Sequence, residues 1–219
     1  MEHAMAWFRA IAIAATTVAF ALCAGAAEDP SVPVTEPVAG QSHADWVKAW
    51  WLWSWSFGEA QGPGADETGA LCAEKQSGPV WFLAGAKDNS PAYGHPVVRS
   101  CTIPKERYVF FPVMVYIVAG NAYTCDEAKD SAAELTAELK SMFVEVDGVP
   151  LPQLTSHRVK TERCFDAGAK MEPPDEWYPA AANGYYVMLK PLSPGKHTLK
   201  FGGEFENLSQ NMTYMLTIE

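Results

Sequence analysis

Five tryptophans crowd into a ten-residue stretch, and they are the residues best suited to binding chemistry: Trp46, Trp50, Trp51, Trp53 and Trp55. An indole offers a flat apolar face to the C–H surface of a sugar, and its N–H can donate to a hydroxyl. Trp46, Trp50 and Trp53 follow four- and three-residue steps, so they share one helical face that we expect to be core. Trp51 lies beside that stripe and Trp55 lies off it. These two are candidate ligand-binding residues.

Carboxylates form a second group of candidates, as adjacent pairs: Asp66 with Glu67, Asp126 with Glu127, and Asp175 with Glu176. A glycosidase needs two carboxyl groups held about 5–9.5 Å apart across the scissile bond. Adjacent acids in loops more often face solvent or cap helices, so we assign no catalytic residue. Asp66 is kept, with Trp51 and Trp55, as a candidate ligand-binding residue.

Metal and cofactor motifs are missing. The four histidines after the first 26 residues have neither HExxH nor H-x-H spacing: His43, His95, His157 and His197. A jelly roll can gather distant histidines around a metal, but that is an argument from fold analogy alone. No G-x-S-x-G, G-x-x-x-x-G-K-[ST] or G-x-G-x-x-G segment occurs. The sequence therefore predicts no metal and no cofactor, and it favours a binding protein over an enzyme.

Export is indicated by the first segment of the chain. Arg9 precedes an apolar run of about 15 residues, and the small residues of 24–27 follow it. This run is shorter than the roughly 20 residues of a membrane-spanning helix. We predict a signal peptide over residues 1–26, a secreted or periplasmic location, and no stable membrane span after cleavage.

Cysteine arithmetic agrees with export. Loss of Cys23 leaves four cysteines, an even number typical of two disulfides in an oxidising compartment. Three pairings are open. We favour Cys72–Cys101 and Cys125–Cys164, because each closes a local loop of about 30–40 residues, worth roughly 3–4 kcal/mol in the chain-entropy model.

Two helices are predicted around these residues. The first spans Ser42–Phe57, with Ser42 and Asp45 at capping-box spacing. The second spans Asp126–Met142, and the capping-box spacing of Ser131 and Glu134 leaves open a break or restart near Asp130. Its apolar face is formed by Ala128, Ala132, Leu135, Leu139 and Met142.

Strands account for most of the remaining chain. They are predicted over 79–85, 97–103, 108–118, 143–146, 149–154, 157–161, 184–189, 196–201 and 211–218, with a hairpin turn at Asp147-Gly148. We predict a mostly β fold, an antiparallel sandwich or jelly roll with two inserted helices, and a two-layer α+β fold as the alternative. Residues 27–41 form an extended N-terminal arm, and 42–219 form one β-rich domain.

A set of short segments stands out: Trp50-Trp51-Leu52-Trp53, Asp66-Glu67-Thr68-Gly69, Gly78-Pro79-Val80-Trp81-Phe82-Leu83-Ala84-Gly85, Cys101-Thr102-Ile103-Pro104 and Asn183-Gly184-Tyr185-Tyr186 with Leu189 to Thr198. Together these segments resemble a family of uncharacterised bacterial secreted proteins. The resemblance covers most of the chain after the signal. It implies export and a shared domain, and it implies no activity.

The net charge of the chain limits the classes of partner it can bind. The net charge is −10, and removal of residues 1–26 takes away one acid and one base and leaves it unchanged. Such a chain repels phosphate backbones, so we expect no nucleic-acid partner. Our leading hypothesis is a secreted or periplasmic binding domain for a glycan or a cell-envelope component. A carbohydrate hydrolase and a structural envelope protein are the alternatives, and the sequence leaves the oligomeric state open.

Overall fold

The computed structural model describes residues 29–57, 61–86, 95–206 and 208–219. The predicted signal peptide, residues 1–26, and the start of the predicted arm lie outside these ranges. The described chain contains helices α1 (His43–Trp55) and α2 (Cys125–Ala137) and nine strands: β1 (Val80–Phe82), β2 (Pro96–Ile103), β3 (Tyr108–Ala119), β4 (Ser141–Val146), β5 (Val149–Pro150), β6 (Arg158–Lys160), β7 (Ala180–Leu189), β8 (Gly195–Glu204) and β9 (Ser209–Ile218). A mostly β fold with two helices is confirmed.

The strands form two sheets that pack face to face. Sheet 1 has the order β1-β3-β7-β6, and sheet 2 has the order β2-β9-β8-β4-β5. Inward-facing rings fill the space between them, with Phe111 of sheet 1 at 4.7 Å from Phe201 of sheet 2. In β8, buried Leu199 and Phe201 flank exposed Lys200, which is the period-two pattern of a half-buried strand.

Sheet 1 is the middle of three layers. All ten residues of β7 are buried, so neither face of that strand is open to solvent. One face meets sheet 2, and the other meets α1 through the Trp50–Tyr186 ring contact at 6.5 Å. At the far end, α2 places Ala128 and Ala132 against Ala181. Small side chains on both elements allow this close packing.

The sheets are mixed rather than wholly antiparallel. β1 pairs with β3 in parallel, and β2 pairs with β9 in parallel along its whole length. The physical reason lies in the connections. Between β1 and β3 the chain crosses to sheet 2 and forms β2, so it returns to sheet 1 in its original direction.

Helix α1 follows its sequence signals. Ser42 and Asp45 form the predicted capping box, in which the Asp45 N–H donates to Ser42 Oγ and the Ser42 N–H donates to Asp45 Oδ2.

Helix α2 is shorter than predicted. It ends at Ala137, its capping box is Thr124 with Glu127, and it continues without a break past Ser131. Leu135 is 40% exposed, so the predicted apolar face is wrong at that position. Leu139 and Met142 pack instead against the core between the sheets, and Met142 belongs to β4. Their helical spacing was coincidental.

Two disulfides join the predicted pairs. Cys72–Cys101 ties the loop after α1 to β2, and Cys125–Cys164 ties the start of α2 to the segment before β7. Each therefore fixes a long connection to a regular element. Within the described ranges, no helix is both long and apolar enough to cross a bilayer.

The N-terminal arm docks along sheet 1. The Val32 N–H donates to the Met188 carbonyl at 2.8 Å, and the Lys190 N–H donates to the Pro30 carbonyl at 2.8 Å. Val32 and Val38 are buried against α1. Residues 30–32 thus extend the sheet beside the end of β7, and Val32 and Val38 cover part of the helix layer.

Candidate functional site

The tryptophan stripe on α1 is core, as its spacing predicts. Trp46, Trp50 and Trp53 are buried. Their indole N–H groups donate to backbone carbonyls outside the helix: to Val38 at 3.1 Å, to Leu83 at 2.9 Å and to Glu74 at 3.0 Å. Each ring is therefore oriented by a hydrogen bond as well as by packing, and none of the three is available to a ligand.

Trp51 and Trp55 lie on the other flank of α1, and both are half-buried. Their ring centroids are 6.2 Å apart in an edge-to-face arrangement. The Trp51 N–H donates to the Tyr186 hydroxyl at 2.8 Å, and burial raises the pKa of Tyr186 far above its usual value. Trp51 is anchored by a neutral, buried phenol, whereas the Trp55 N–H meets no acceptor among the described residues. Trp55 alone of the five indoles keeps a donor for a ligand.

A third indole joins them from the other end of the chain. Trp177 lies edge to face with Trp55, with ring centroids 5.6 Å apart at 90°. It is half-buried, and the next residue, Tyr178, is 50% exposed. Residues 164–182 lie outside every helix and strand predicted from the sequence. The signal that this segment carried was a pair of large aromatic residues in a proline-rich, polar loop.

The loop that presents Trp177 is firmly held. Asp166 Oδ1 accepts hydrogen bonds from the N–H groups of Gly168 at 3.0 Å and Trp177 at 2.9 Å, which closes the loop at its base. Asp175 Oδ2 accepts from the Trp177 indole N–H at 3.0 Å. An added Cβ on Gly168 would lie 1.9 Å from the Asp175 carbonyl oxygen, so only glycine fits there. We name Trp51, Trp55, Trp177 and Tyr178 the aromatic surface.

Asp66 is placed in a different role. It lies in the loop before Cys72, where Oδ1 accepts from the Thr68 N–H and hydroxyl, and Oδ2 accepts from the Leu71 N–H. Partial burial acts to raise the pKa of Asp66, but hydrogen bonds from Leu71, Thr68 and Gly69 outweigh it and lower the pKa. Its carboxylate shapes this loop, and no contact joins it to Trp51 or Trp55 in the described chain.

Arg99 holds the same loop from beneath, and no motif in the sequence singles this residue out. This side chain is 1% exposed and donates to four backbone carbonyls and one hydroxyl: Asp66 at 2.5 Å, Ala84 at 2.8 Å, Gly85 at 3.2 Å, Gly64 at 3.0 Å and the Tyr214 hydroxyl at 2.9 Å. Its guanidinium presents five N–H donors in a fixed fork, which suits a cage of carbonyls. Arg99 is a structural cation.

A Ser–His–Asp arrangement occurs on sheet 2. His197 Nδ1 lies 2.7 Å from Asp147 Oδ2, and His197 Nε2 lies 3.3 Å from Ser193 Oγ. The same Nε2 lies closer, at 2.8 Å, to the Ser193 carbonyl oxygen, which can only accept. Burial acts to lower the pKa of His197, but Asp147 and the Ser193 carbonyl outweigh it and raise the pKa.

These contacts make His197 a donor on both nitrogens. A general base must instead accept the serine proton at Nε2, so this geometry opposes nucleophilic catalysis. Asp147 is bound in turn by the Thr198 N–H at 2.8 Å. Burial acts to raise the pKa of Asp147, but hydrogen bonds from Thr198 and His197 lower it. The cluster links the β4–β5 turn to the start of β8.

Two open grooves flank His197. One, of about 400 Å³, is lined by Cys72, Cys101 and the ends of β2, β8 and β9. The other, of about 600 Å³, lies between the β4–β5 turn and the segment after β7, with Asp29 and Pro30 of the arm in its wall. Across the described part of the chain, no three His, Cys, Asp or Glu side chains are placed to hold a metal ion.

Comparisons with known proteins add little to this geometry. No family model and no curated protein matches the chain. A solved structure, the solution structure of amebosin, aligns at 11% identity over 65% of this chain and 100% of its own, with a TM-score of 0.27. A likeness at that level assigns neither fold nor function.

Proposed function

We propose that this chain is an exported binding domain, secreted or periplasmic, whose aromatic surface recognises saccharide of a glycan or of the cell envelope. One observation carries the proposal. Trp55 is half-buried beside Trp177, and its indole N–H has no acceptor among the described residues. Flat indole faces with a free donor suit the alternating C–H and hydroxyl surface of a sugar ring.

The rigid support of the aromatic side chains favours ligand binding. Trp177 and Tyr178 stand on a loop closed by Asp166 and Gly168, and Trp55 stands on a helix anchored by its buried tryptophan stripe. Pre-organised aromatic groups lose little conformational entropy when a ligand binds. Two disulfides support an oxidising compartment, in keeping with export.

Hydrolysis is the less favoured alternative. A glycosidase needs one carboxyl group whose pKa is raised so that it can act as the acid. Asp66 and Asp147 have lowered pKa values, and hydrogen bonds from Thr124 lower the pKa of Glu127. Asp166 and Asp175, which adjoin the aromatic surface, are each engaged in holding the Trp177 loop.

A glycan array with matched variants tests the proposal. We expect the purified protein to bind a set of saccharides. Trp55→Ala and Trp177→Ala should each weaken binding by about fivefold, since an aromatic contact contributes about 1 kcal/mol. Met215→Ala is the control, because Met215 is an equally apolar exposed residue on sheet 2. Binding that survives both tryptophan variants would refute the aromatic surface as the site.

A further inference from the structure

Two histidines are sealed inside the protein beneath the N-terminal arm. His43 is the first residue of α1 and is 2% exposed, and His157 ends a short 3₁₀ helix and is 3% exposed. Among the described residues, three of their four ring nitrogens have no partner in good hydrogen-bond geometry; the Glu36 carbonyl lies near His43 without completing such a bond. The fourth, His157 Nε2, lies 3.4 Å from the hydroxyl of Ser31 in the arm. Buried polar groups are nearly always satisfied, so this pair calls for an explanation.

The surroundings of the pair favour neutral rings. Burial lowers the pKa of His43, and its proximity to His157 lowers it further, while the Glu36 carbonyl opposes both effects. Burial also lowers the pKa of His157, and the Asp29 carboxylate opposes it. Each ring would therefore take up a proton less readily here than in water.

Other charged groups near the pair are directed elsewhere. Asp45 of α1 binds Ser42, and Arg158, next to His157, donates to Asn183 at 3.0 Å. Asp29 Oδ1 is shared with the N–H and hydroxyl of Ser31. Asp29 is thus the one counter-charge acting on the pair among the described residues, and it belongs to the arm.

We propose that His43 and His157 form an acid-sensitive latch that keeps the N-terminal arm docked when neutral and releases it when protonated. Two positive charges close enough to act on each other in the interior repel and demand hydration. The arm is the element that can yield. Hydrogen bonds at Asp29, Pro30, Val32 and Val38 and the burial of Val32 and Val38 hold it to the rest of the protein, whereas β8 and β9 are paired over ten residues.

The sign of the effect follows from linkage. Folded-state pKa values below the usual 6.5 mean that the released state binds more protons than the docked state. Docking is therefore fully favoured above about pH 7 and weakens as the pH falls below 6.5. His197 titrates in the opposite sense, because its pKa is raised, so it stabilises the fold under the same acidic conditions.

Release would change two surfaces. The backbone groups of Met188 and Lys190 would lose their partners, which opens the edge of β7 to pairing with another strand. The 600 Å³ groove beside His197 would lose the wall formed by Asp29 and Pro30. The latch would thereby couple mild acid to the exposure of a strand edge and to the shape of a groove.

Hydrogen exchange measured by mass spectrometry on the purified protein at pH 7.5 and 5.5, corrected for intrinsic rates, tests the latch. We expect protection of residues 29–41 to fall at least tenfold at pH 5.5, while β9 stays protected. An arm that remains protected, or an arm and β9 that lose protection together, would overturn the proposal.

Variants separate the latch from general acid sensitivity. His43→Phe and His157→Gln each remove one titrating ring, and we expect either to keep the arm protected at pH 5.5. His157→Gln serves if His43→Phe disturbs the fold. The control is His95→Gln, because His95 is exposed, and it should behave like the parent. If both latch variants lose as much arm protection at pH 5.5 as the parent protein does, the proposal is wrong.

Discussion

Replacement of Arg99 by methionine tests the account of how the loop before Cys72 is held. The variant keeps the length and apolar stem of the side chain and removes all five donors. The Ala84 carbonyl keeps a partner, since the Tyr214 hydroxyl donates to it at 2.7 Å. The carbonyls of Gly64, Asp66 and Gly85 lose the donor that Arg99 provides.

The magnitude follows from those three carbonyls. A buried polar group left without its partner costs about 1–3 kcal/mol, and relief from burying a charge offsets part of the total. We expect Arg99→Met to lower the free energy of unfolding by about 3 kcal/mol, using the low end of that range for each carbonyl. Arg99→Lys should fall between the variant and the parent, because one ammonium cannot reach carbonyls spread around a planar fork.

Urea unfolding followed by tryptophan fluorescence measures this change. Lys200→Met is the control, because Lys200 is an exposed cation on the outer face of β8, and it should change the free energy by less than about 0.5 kcal/mol. A loss below about 1 kcal/mol for Arg99→Met would refute the reasoning, since it would mean that water satisfies the three carbonyls at little cost.

Three further predictions concern the other contacts. Replacing both Cys125 and Cys164 by serine opens a loop with a sequence separation of 39, and should lower the free energy of unfolding by about 4 kcal/mol in the chain-entropy model. The raised pKa of His197 stabilises the fold below its usual pKa and loses that effect as pH rises through the folded value. The gap in melting temperature between the parent and His197→Asn should therefore shrink from pH 6 to pH 9, and a constant gap would count against it. Gly168→Ala should expose the Trp177 loop to limited proteolysis and reduce saccharide binding without unfolding the sheets, because the added methyl collides with the Asp175 carbonyl.

Local patterns predicted the local structure well. The capping box at Ser42, the turn at Asp147-Gly148 and the period of the tryptophan stripe each depend on residues close in sequence. Both disulfides also joined cysteines that are consecutive in the chain after Cys23, the first with the second and the third with the fourth. In each case the deciding interactions are formed within a limited stretch of the chain, so the residue pattern of that stretch predicts the structure.

The features that the sequence did not predict depend on contacts between segments distant in the chain. Leu139 and Met142 fit a helical period, yet the pairing of β4 with β8 takes them out of α2. The partnership of Trp55 with Trp177, and the burial of Arg99 and His43, exist only once the sheets and helices have packed. The parallel pairing of β2 with β9 is likewise a property of the whole chain path.

The aromatic surface is tested most directly by the indole N–H resonances in a two-dimensional ¹H–¹⁵N NMR spectrum, recorded while an oligosaccharide selected on the array is titrated in. The account predicts that the Trp55 indole exchanges fastest with solvent and shifts most on binding, while Trp46, Trp50 and Trp53 stay protected and unmoved. A Trp55 signal that is protected and unaffected by a bound saccharide would contradict it.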